Sequence, residues 1–517
     1  MNQKTRTEYS VLNMLTGLGG YFLNTVIGYI CRIIFVRCLA AEYLGINGLF
    51  SNILSMLSLV ELGIGSAMGY ALYQPLAKDD KEKITSLMAL YKKSYNIIGI
   101  VVALLGIMMI PLLQYIIVKP QQIVENIYII YLVYLFNTAS SYFFSYRSAL
   151  LIAAQKNYIV SGVNYAITTI VSIIQIPILL ITQNFMIYLI CQSIGVFINN
   201  VIVSMWAKHD YPYIEKKNVK PITKKEKRQM AVNIKALTIN KIAAMLVNNT
   251  DNIVITYFNG LISTGVISNY TLLTGTLGSI TSQLFNGITA SVGNLNAVEN
   301  NKKKYNFFRI LNLANFWIYG WCCIGIFLVS GEIVKICFGQ KFVLDMQIPL
   351  VLAINFYLVG MNNAVLIYKN AMGLFKYGQY LLILTAMINL VLDVILGKMW
   401  GMFGIFLATI IARVLTNTWY EPYAVFKYGL EKKFKEYIKI FLEYVVVLIF
   451  TGVVCYVLCG FCKYNNIINL ILKVIICSII PNIVFYMCYG KTQEGKYLIG
   501  AIKKIITGVI KKVEGKI

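Results

Sequence analysis

The sequence predicts an all-α integral membrane protein of about fourteen transmembrane helices: two six-helix lobes related by a parallel repeat, two further helices and an amphipathic tail. Three observations predict it. Charge is too sparse for a soluble fold, apolar runs of spanning length recur along the chain, and basic residues crowd alternate loops. Of 517 residues, 58% are hydrophobic and 13% charged, whereas a soluble domain carries about 25% charged residues. No stretch between the apolar runs suffices for a separate soluble domain.

The first lobe occupies residues 1–207. Met1 to Ser10 holds Lys4, Arg6 and Glu8 and leads into an apolar run without a small-residue cleavage site, so no cleaved signal peptide is expected. Spans follow near 11–37, 43–73, 87–118, 123–148, 157–182 and 184–206, each sufficient for a hydrocarbon core of roughly 30 Å. In the second, Glu61 lies beside Gly63, Gly65 and Gly69, which permit close packing and bending. Residues 208–230 form a basic linker containing His209, the sole histidine, so no histidine-based metal site or acid-base pair is available.

The second lobe, 231–426, places helices near 231–258, 265–293, 307–337, 346–370, 378–397 and 401–426. Residues 427–489 add two helices, near 438–460 and 465–489. In the tail, 490–517, apolar residues fall at helical spacing with paired lysines opposite, as in a helix lying on a leaflet. The 11 cysteines sit mostly in apolar runs and behave as small hydrophobes. Cys459 and Cys462 have redox-motif spacing without the surrounding βαβ pattern that a redox role needs.

Of 46 Lys and Arg residues, 35 fall in segments on the N-terminal side and only 5 in the opposite loops: Lys119, Lys335, Lys341, Lys398 and Lys463. The positive-inside rule then puts both termini in the cytoplasm, with the chain in the cytoplasmic membrane. The net charge of +25 reads as topology and attraction to anionic membrane lipids, not as nucleic-acid binding.

The halves match at an offset of 220 residues without a gap. Gly45-Ile46 meets Gly265-Val266, Phe50-Ser51 meets Tyr270-Thr271, Ala77 meets Ala297, Asp79 meets Glu299 and Lys83 meets Lys303. Six intervening helices give both copies one orientation, and such a repeat places a cavity between two rocking lobes.

The run Leu44-Gly-Ile-Asn-Gly-Leu-Phe, then Val60-Glu61-Leu62-Gly63-Ile64-Gly65, then Leu72-Tyr73-Gln74-Pro75-Leu76-Ala77 resembles the start of bacterial polysaccharide-repeat flippases. These belong to the multidrug, oligosaccharidyl-lipid and polysaccharide exporter superfamily. Asn249-Thr250-Asp251-Asn252-Ile253-Val254-Ile255, with Gly265 and Ser268-Asn269-Tyr270, resembles the opening of their second lobe. With helix count and repeat, the resemblance covers about residues 1–426. It implies a V-shaped pair of bundles that turns a polyprenyl-diphosphate-linked oligosaccharide from inner to outer leaflet for surface polysaccharide assembly, alongside polymerase and glycosyltransferase partners. The extra helices are similar in layout to those of murein-precursor flippases, where they border a groove for the lipid tail.

Charges inside a bilayer cost at least about 2.5 to 3.5 kcal/mol, so they face protein or a wet cavity. Arg32, flanked by Tyr29, Ile30, Ile33 and Ile34, offers a planar fork suited to a diphosphate; its alternative is a structural ion pair. At the repeat offset it falls opposite Asn252, beside Asp251, with which it would pair in the absence of cargo. Lys241 and Arg413 are further phosphate candidates, the latter with Asp393 as an alternative partner, and Arg37 either contacts cargo or snorkels to the outer interface. Lys235 is interfacial, and Arg147 and Lys156 read as topology determinants. Coupling to H+ or Na+ would fall to Asp251, Asp393 or Glu61. No metal or other cofactor is expected.

Two rival readings differ in class. An organic-cation exporter would need an acidic or aromatic pocket, whereas the intramembrane charges include Arg32, Lys241 and Arg413. A membrane-embedded polymerase or glycosyltransferase would need a catalytic loop or nucleotide-sugar domain, and the outer loops are short. The chain is therefore read as a transporter and not an enzyme.

Overall fold

The computed structural model describes residues 6–61, 64–117, 123–215, 250–282, 285, 292, 295, 299–374, 377–378, 380–462, 466–501 and 503. Among these residues every regular element is helical. Ten helical stretches are long and apolar enough to cross a bilayer. The chain divides into two compact units, Met1–Gly265 and Val266–Ile517.

In the first unit, α1 (Arg6–Cys38) lies against α6 (Asn157–Thr182), where Gly20 leaves room for the Tyr165 ring. The second predicted span is broken: α2 (Ala41–Leu57) tightens into a 3-10 turn, Ser58–Glu61, before α3 (Ile64–Ala77). The Ser58 hydroxyl donates to the Ser55 carbonyl there at 2.6 Å, diverting an acceptor from the helical ladder. α4 (Lys81–Ile116), α5 (Ile127–Ala153) and α7 (Phe185–Asp210) complete the bundle, with a 3-10 turn, Pro212–Glu215, after α7. A further helical run, α8 (250–282), begins in this unit and has Gly260 at φ +81.

The repeat is visible in the helix starts. Asp80 caps α4 by accepting from the Lys83 N–H at 2.9 Å, and Asn300 caps α9 (Asn301–Phe338) by accepting from Lys303 at 3.0 Å. Both cap and capped residue are 220 positions apart. So are the starts of α5 and α10 (Gln347–Ala371). Within the first unit, a Cβ on Gly45 would lie 2.1 Å from the Leu261 carbonyl oxygen, and one on Gly265 would lie 2.3 Å from that of Ala41. Ala41 and Leu261 are repeat equivalents, as are Gly45 and Gly265, so the contact is reciprocal, as across a twofold axis. Only glycine lets the backbones approach so closely.

In the second unit, α9 and α10 form the core with α11 (Leu381–Leu415), α12 (Asn417–Ala424), a π-helical turn (Val425–Leu430), α13 (Phe434–Gly460) and α14 (Asn466–Tyr489). α11 is two helices that reverse at Gly401 (φ 58, ψ −138). Thr385 and Thr416 hydroxyls meet at 2.8 Å, where a straight helix would hold them about 46 Å apart. A Cβ on Gly404 would lie 2.0 Å from the Leu396 carbonyl oxygen, so the hairpin needs glycine there.

The last two spans are fixed to α9 along much of its length. Asn301, Tyr305 and Arg309 bond Glu431, Glu436 and Glu494 at 2.9, 2.7 and 2.9 Å. Deeper, the Trp317 indole donates to Asn482 at 2.7 Å, and Trp321 to the Cys477 carbonyl at 2.9 Å. Lys473 and Asn469 of α14 bond Glu332 at 2.7 and 2.9 Å. Helix resumes at 493–501 (α15), where Glu494 pairs Arg309 and Leu498 packs on the hydrophobic core. The beginning of the predicted tail helix is thus docked on this unit.

Candidate functional site

The polar interior of the first unit is built around α1 and α7. Arg32 is partly buried, with Tyr29 and Tyr188 within electrostatic reach. Behind it, the Gln175 amide donates to the Tyr188 carbonyl at 3.2 Å and accepts a weak bond from the Cys31 thiol at 3.9 Å. Tyr134 donates to Asn47 at 2.9 Å, and Asn137 donates to Ser193 at 2.8 Å. A guanidinium, phenols and amides in one helical bundle can hold an anionic oxygen and neighbouring hydroxyl groups. Arg37, in the last turn of α1, is exposed. Asp251 lies half-buried near the start of α8, in the same unit as Arg32. Lys235 and Lys241 lie outside the described residues.

Glu61 ends the 3-10 turn that follows α2 and accepts from the Tyr95 hydroxyl at 2.7 Å. Tyr91 donates to the Gly65 carbonyl at 2.6 Å, tying α4 to the start of α3. This carboxyl therefore stands at an interruption in the second span, bonded across to α4.

Asp393 occupies a different setting. It is fully buried in the α11 hairpin, one turn from Asn389. The Asn389 amide donates to Asp393 at 3.0 Å and to the Thr409 hydroxyl at 3.1 Å, across the Gly401 reversal. Arg413 follows one turn after Thr409, partly exposed. The Asn389 amide nitrogen thus sits between the carboxylate and the hydroxyl oxygen. Among the described residues no three His, Cys, Asp or Glu side chains group as a transition-metal site would require.

Sequence reasoning did not single out two buried ion pairs. Lys369 of α10 and Glu421 of α12 meet at 2.6 Å, both nearly fully buried, and Glu332 meets Lys473 at 2.7 Å. Arg147 and Lys156 are more than topology signals: Arg147 reaches Glu215 at 2.8 Å as well as Ser204, and Lys156 pairs Asp210 at 2.7 Å. Lys208 also bonds Glu215 at 2.8 Å and, with Arg147, holds its carboxyl below the usual glutamate range. Cys462 donates to the Leu458 carbonyl at 3.7 Å, while Cys459 is buried beside Cys477.

No protein-family model and no curated protein matches the chain. Solved structures do. A lipid II flippase MurJ in an inward closed conformation superposes with a TM-score of 0.66 at 16% identity, covering 92% of this chain and 99% of its own. An inward-facing multidrug resistance MATE transporter gives 0.57 at 15% identity, covering 80% of this chain and 95% of its own. A Pyrococcus furiosus transporter, described as having a binding pocket of reversed polarity, gives 0.52 at 10% identity, over 83% of this chain and 100% of its own. These likenesses establish the fold: that of the membrane transporters of the multidrug, oligosaccharidyl-lipid and polysaccharide exporter superfamily.

Proposed function

We propose that the protein is a flippase that moves a polyprenyl-diphosphate-linked oligosaccharide from the inner to the outer leaflet of the cytoplasmic membrane, by alternating access, with both termini in the cytoplasm. The observation that carries this reading is Arg32, a guanidinium on a membrane-spanning helix beside Tyr29 and Tyr188. An exporter of organic cations has no use for such a group, whereas a diphosphate takes its paired donors. The share of the chain matched supports the same side: 92% for the lipid II flippase against 80% for the multidrug transporter.

In this reading Arg32 holds the diphosphate. Asp251 competes for it in the unloaded state, which gives the cargo unequal affinity for two conformations and so a means of shifting them. Arg413, Lys241 and Arg37 are secondary phosphate contacts. Asp393 is the coupling carboxyl for H+ or Na+, preferred over Glu61 and Asp251 because it is fully buried and bonded to the Asn389 amide inside the α11 hairpin. Polymerases and glycosyltransferases of surface polysaccharide assembly act on the cargo before and after this step.

The test is complementation of a deletion strain, scoring undelivered lipid-linked glycan. One charge-assisted hydrogen bond is worth about 1.5–3 kcal/mol, a factor of about 10 to 100 in rate. Arg32→Ala is expected to slow delivery by that factor, and Arg32→Lys by less. Unchanged delivery in both Arg32→Ala and Asp251→Asn removes the assigned roles.

A further inference from the structure

Asn312, one turn from Phe308 and one from Phe316 on α9, is 1% exposed, yet neither its amide nitrogen nor its amide oxygen has a hydrogen-bond partner among the described residues. Three residues on, Asn315 is fully buried; its amide donates to the Gly360 carbonyl at 3.0 Å, while its oxygen accepts nothing. The Tyr357 hydroxyl of α10, one turn from Gly360, is likewise buried and unpaired. Buried amides and phenols are almost always satisfied, by protein or by ordered water.

α13 supplies the wall. Phe308 faces Tyr437 with ring centroids 6.4 Å apart, and Phe316 stacks on Tyr444 at 4.3 Å, so Asn312 lies between the levels of these two tyrosines. The phenols of Tyr437, Tyr444 and Tyr489 lie within electrostatic reach of the Tyr357 hydroxyl. We infer that the second unit holds a buried hydration site between α9, α10 and α13, where ordered water bridges Asn312, Asn315 and Tyr357.

Chemistry selects the ligand. Amides and phenols offer both donors and acceptors but no net charge, so they satisfy water and do not compensate an ion. Water at this position bridges helices α9 and α10 beside the direct Asn315–Gly360 bond.

X-ray hydroxyl-radical footprinting of the full chain in lipid nanodiscs tests the site, because radicals formed from bound water modify adjacent side chains even when they are shielded from bulk solvent. Tyr131 and Tyr368 are the controls: both are fully buried, and their hydroxyls donate to the Gly106 and Lys304 carbonyls at 3.0 and 2.9 Å. Tyr357 is expected to be modified at least severalfold faster than either control. In Asn312→Leu, which removes both unpaired atoms at similar volume, its rate is expected to fall toward theirs. Equal rates for Tyr357 and the controls in the unmodified chain overturn the inference, as does a raised Tyr357 rate that Asn312→Leu leaves unchanged.

Discussion

Substituting Asp393 separates its two roles, as a hydrogen-bond acceptor and as an ionisable group. The Asn389 amide spans Asp393 at 3.0 Å and Thr409 at 3.1 Å, and all three residues are essentially unexposed. Asp393→Ala deletes the acceptor and leaves a buried donor unmet. A hydrogen bond to a charged group contributes about 1.5–3 kcal/mol, and an unmet buried donor costs about as much, so a loss of about 2–4 kcal/mol is expected. Asp393→Asn keeps an acceptor oxygen at the same position, and its stability should stay within about 1 kcal/mol of the parent. The same variant cannot ionise, so transport in proteoliposomes should lose its response to a proton or sodium gradient while uncoupled exchange persists. Unfolding followed by tryptophan fluorescence in detergent reads the first effect, and flipping under imposed gradients reads the second. Asp393→Asn with full gradient dependence refutes the coupling role. Asp393→Ala as stable as the parent refutes the energetics.

Other consequences follow from contacts elsewhere. Lys369→Met removes the cation that lies 2.6 Å from buried Glu421 and should cost about 3–5 kcal/mol, whereas Lys369→Met with Glu421→Leu should recover most of it; denaturation midpoints of the three proteins decide this. Gly45→Leu sets a Cβ against a backbone oxygen 2.1 Å away, which no rotamer change relieves, so yield of folded protein in size-exclusion chromatography should fall sharply while Gly325→Ala, with open space beside it, should not. Glu215 has its carboxyl pKa depressed by Lys208 and Arg147. The resulting stabilisation is full above the ordinary glutamate pKa and disappears as pH falls through the lowered value. Protection of the 213–215 amides, measured against the intrinsic exchange rate at each pH, should therefore fall only at acid pH, and Glu215→Gln should abolish that step.

Much of the fold is legible in the sequence because membrane-spanning helices declare themselves by length and composition. The sixth-span boundary, the α6 range and the start of α10 lie within a few residues of expectation, while α9 starts six residues before the expected 307. Even the repeat could be read, since cap residues Asp80 and Asn300 and the paired glycines Gly45 and Gly265 keep one register. Breaks inside spans were harder to read. The 3-10 turn at Ser58–Glu61 leaves no mark in hydropathy. Of the candidate residues, Arg32 stood out as a charge inside an apolar run, and Asp393 was one of several carboxylates there. Asn389 and Thr409 did not stand out, because their roles arise only when Gly401 folds the hairpin and brings residues 20 positions apart into contact. The Lys369–Glu421 and Glu332–Lys473 pairs were hidden for the same reason: pairing across helices leaves no local spacing to read.

Whether this protein carries a diphosphate-linked glycan across a bilayer is decided by reconstituting it into sealed vesicles with a fluorescent polyprenyl-diphosphate sugar on one leaflet and a membrane-impermeant quencher outside. The expected result is time-dependent movement of label between leaflets in vesicles holding the unmodified chain, slowed at least tenfold in Arg32→Ala. Label that stays on its original leaflet, in vesicles that instead transport an organic cation, contradicts it.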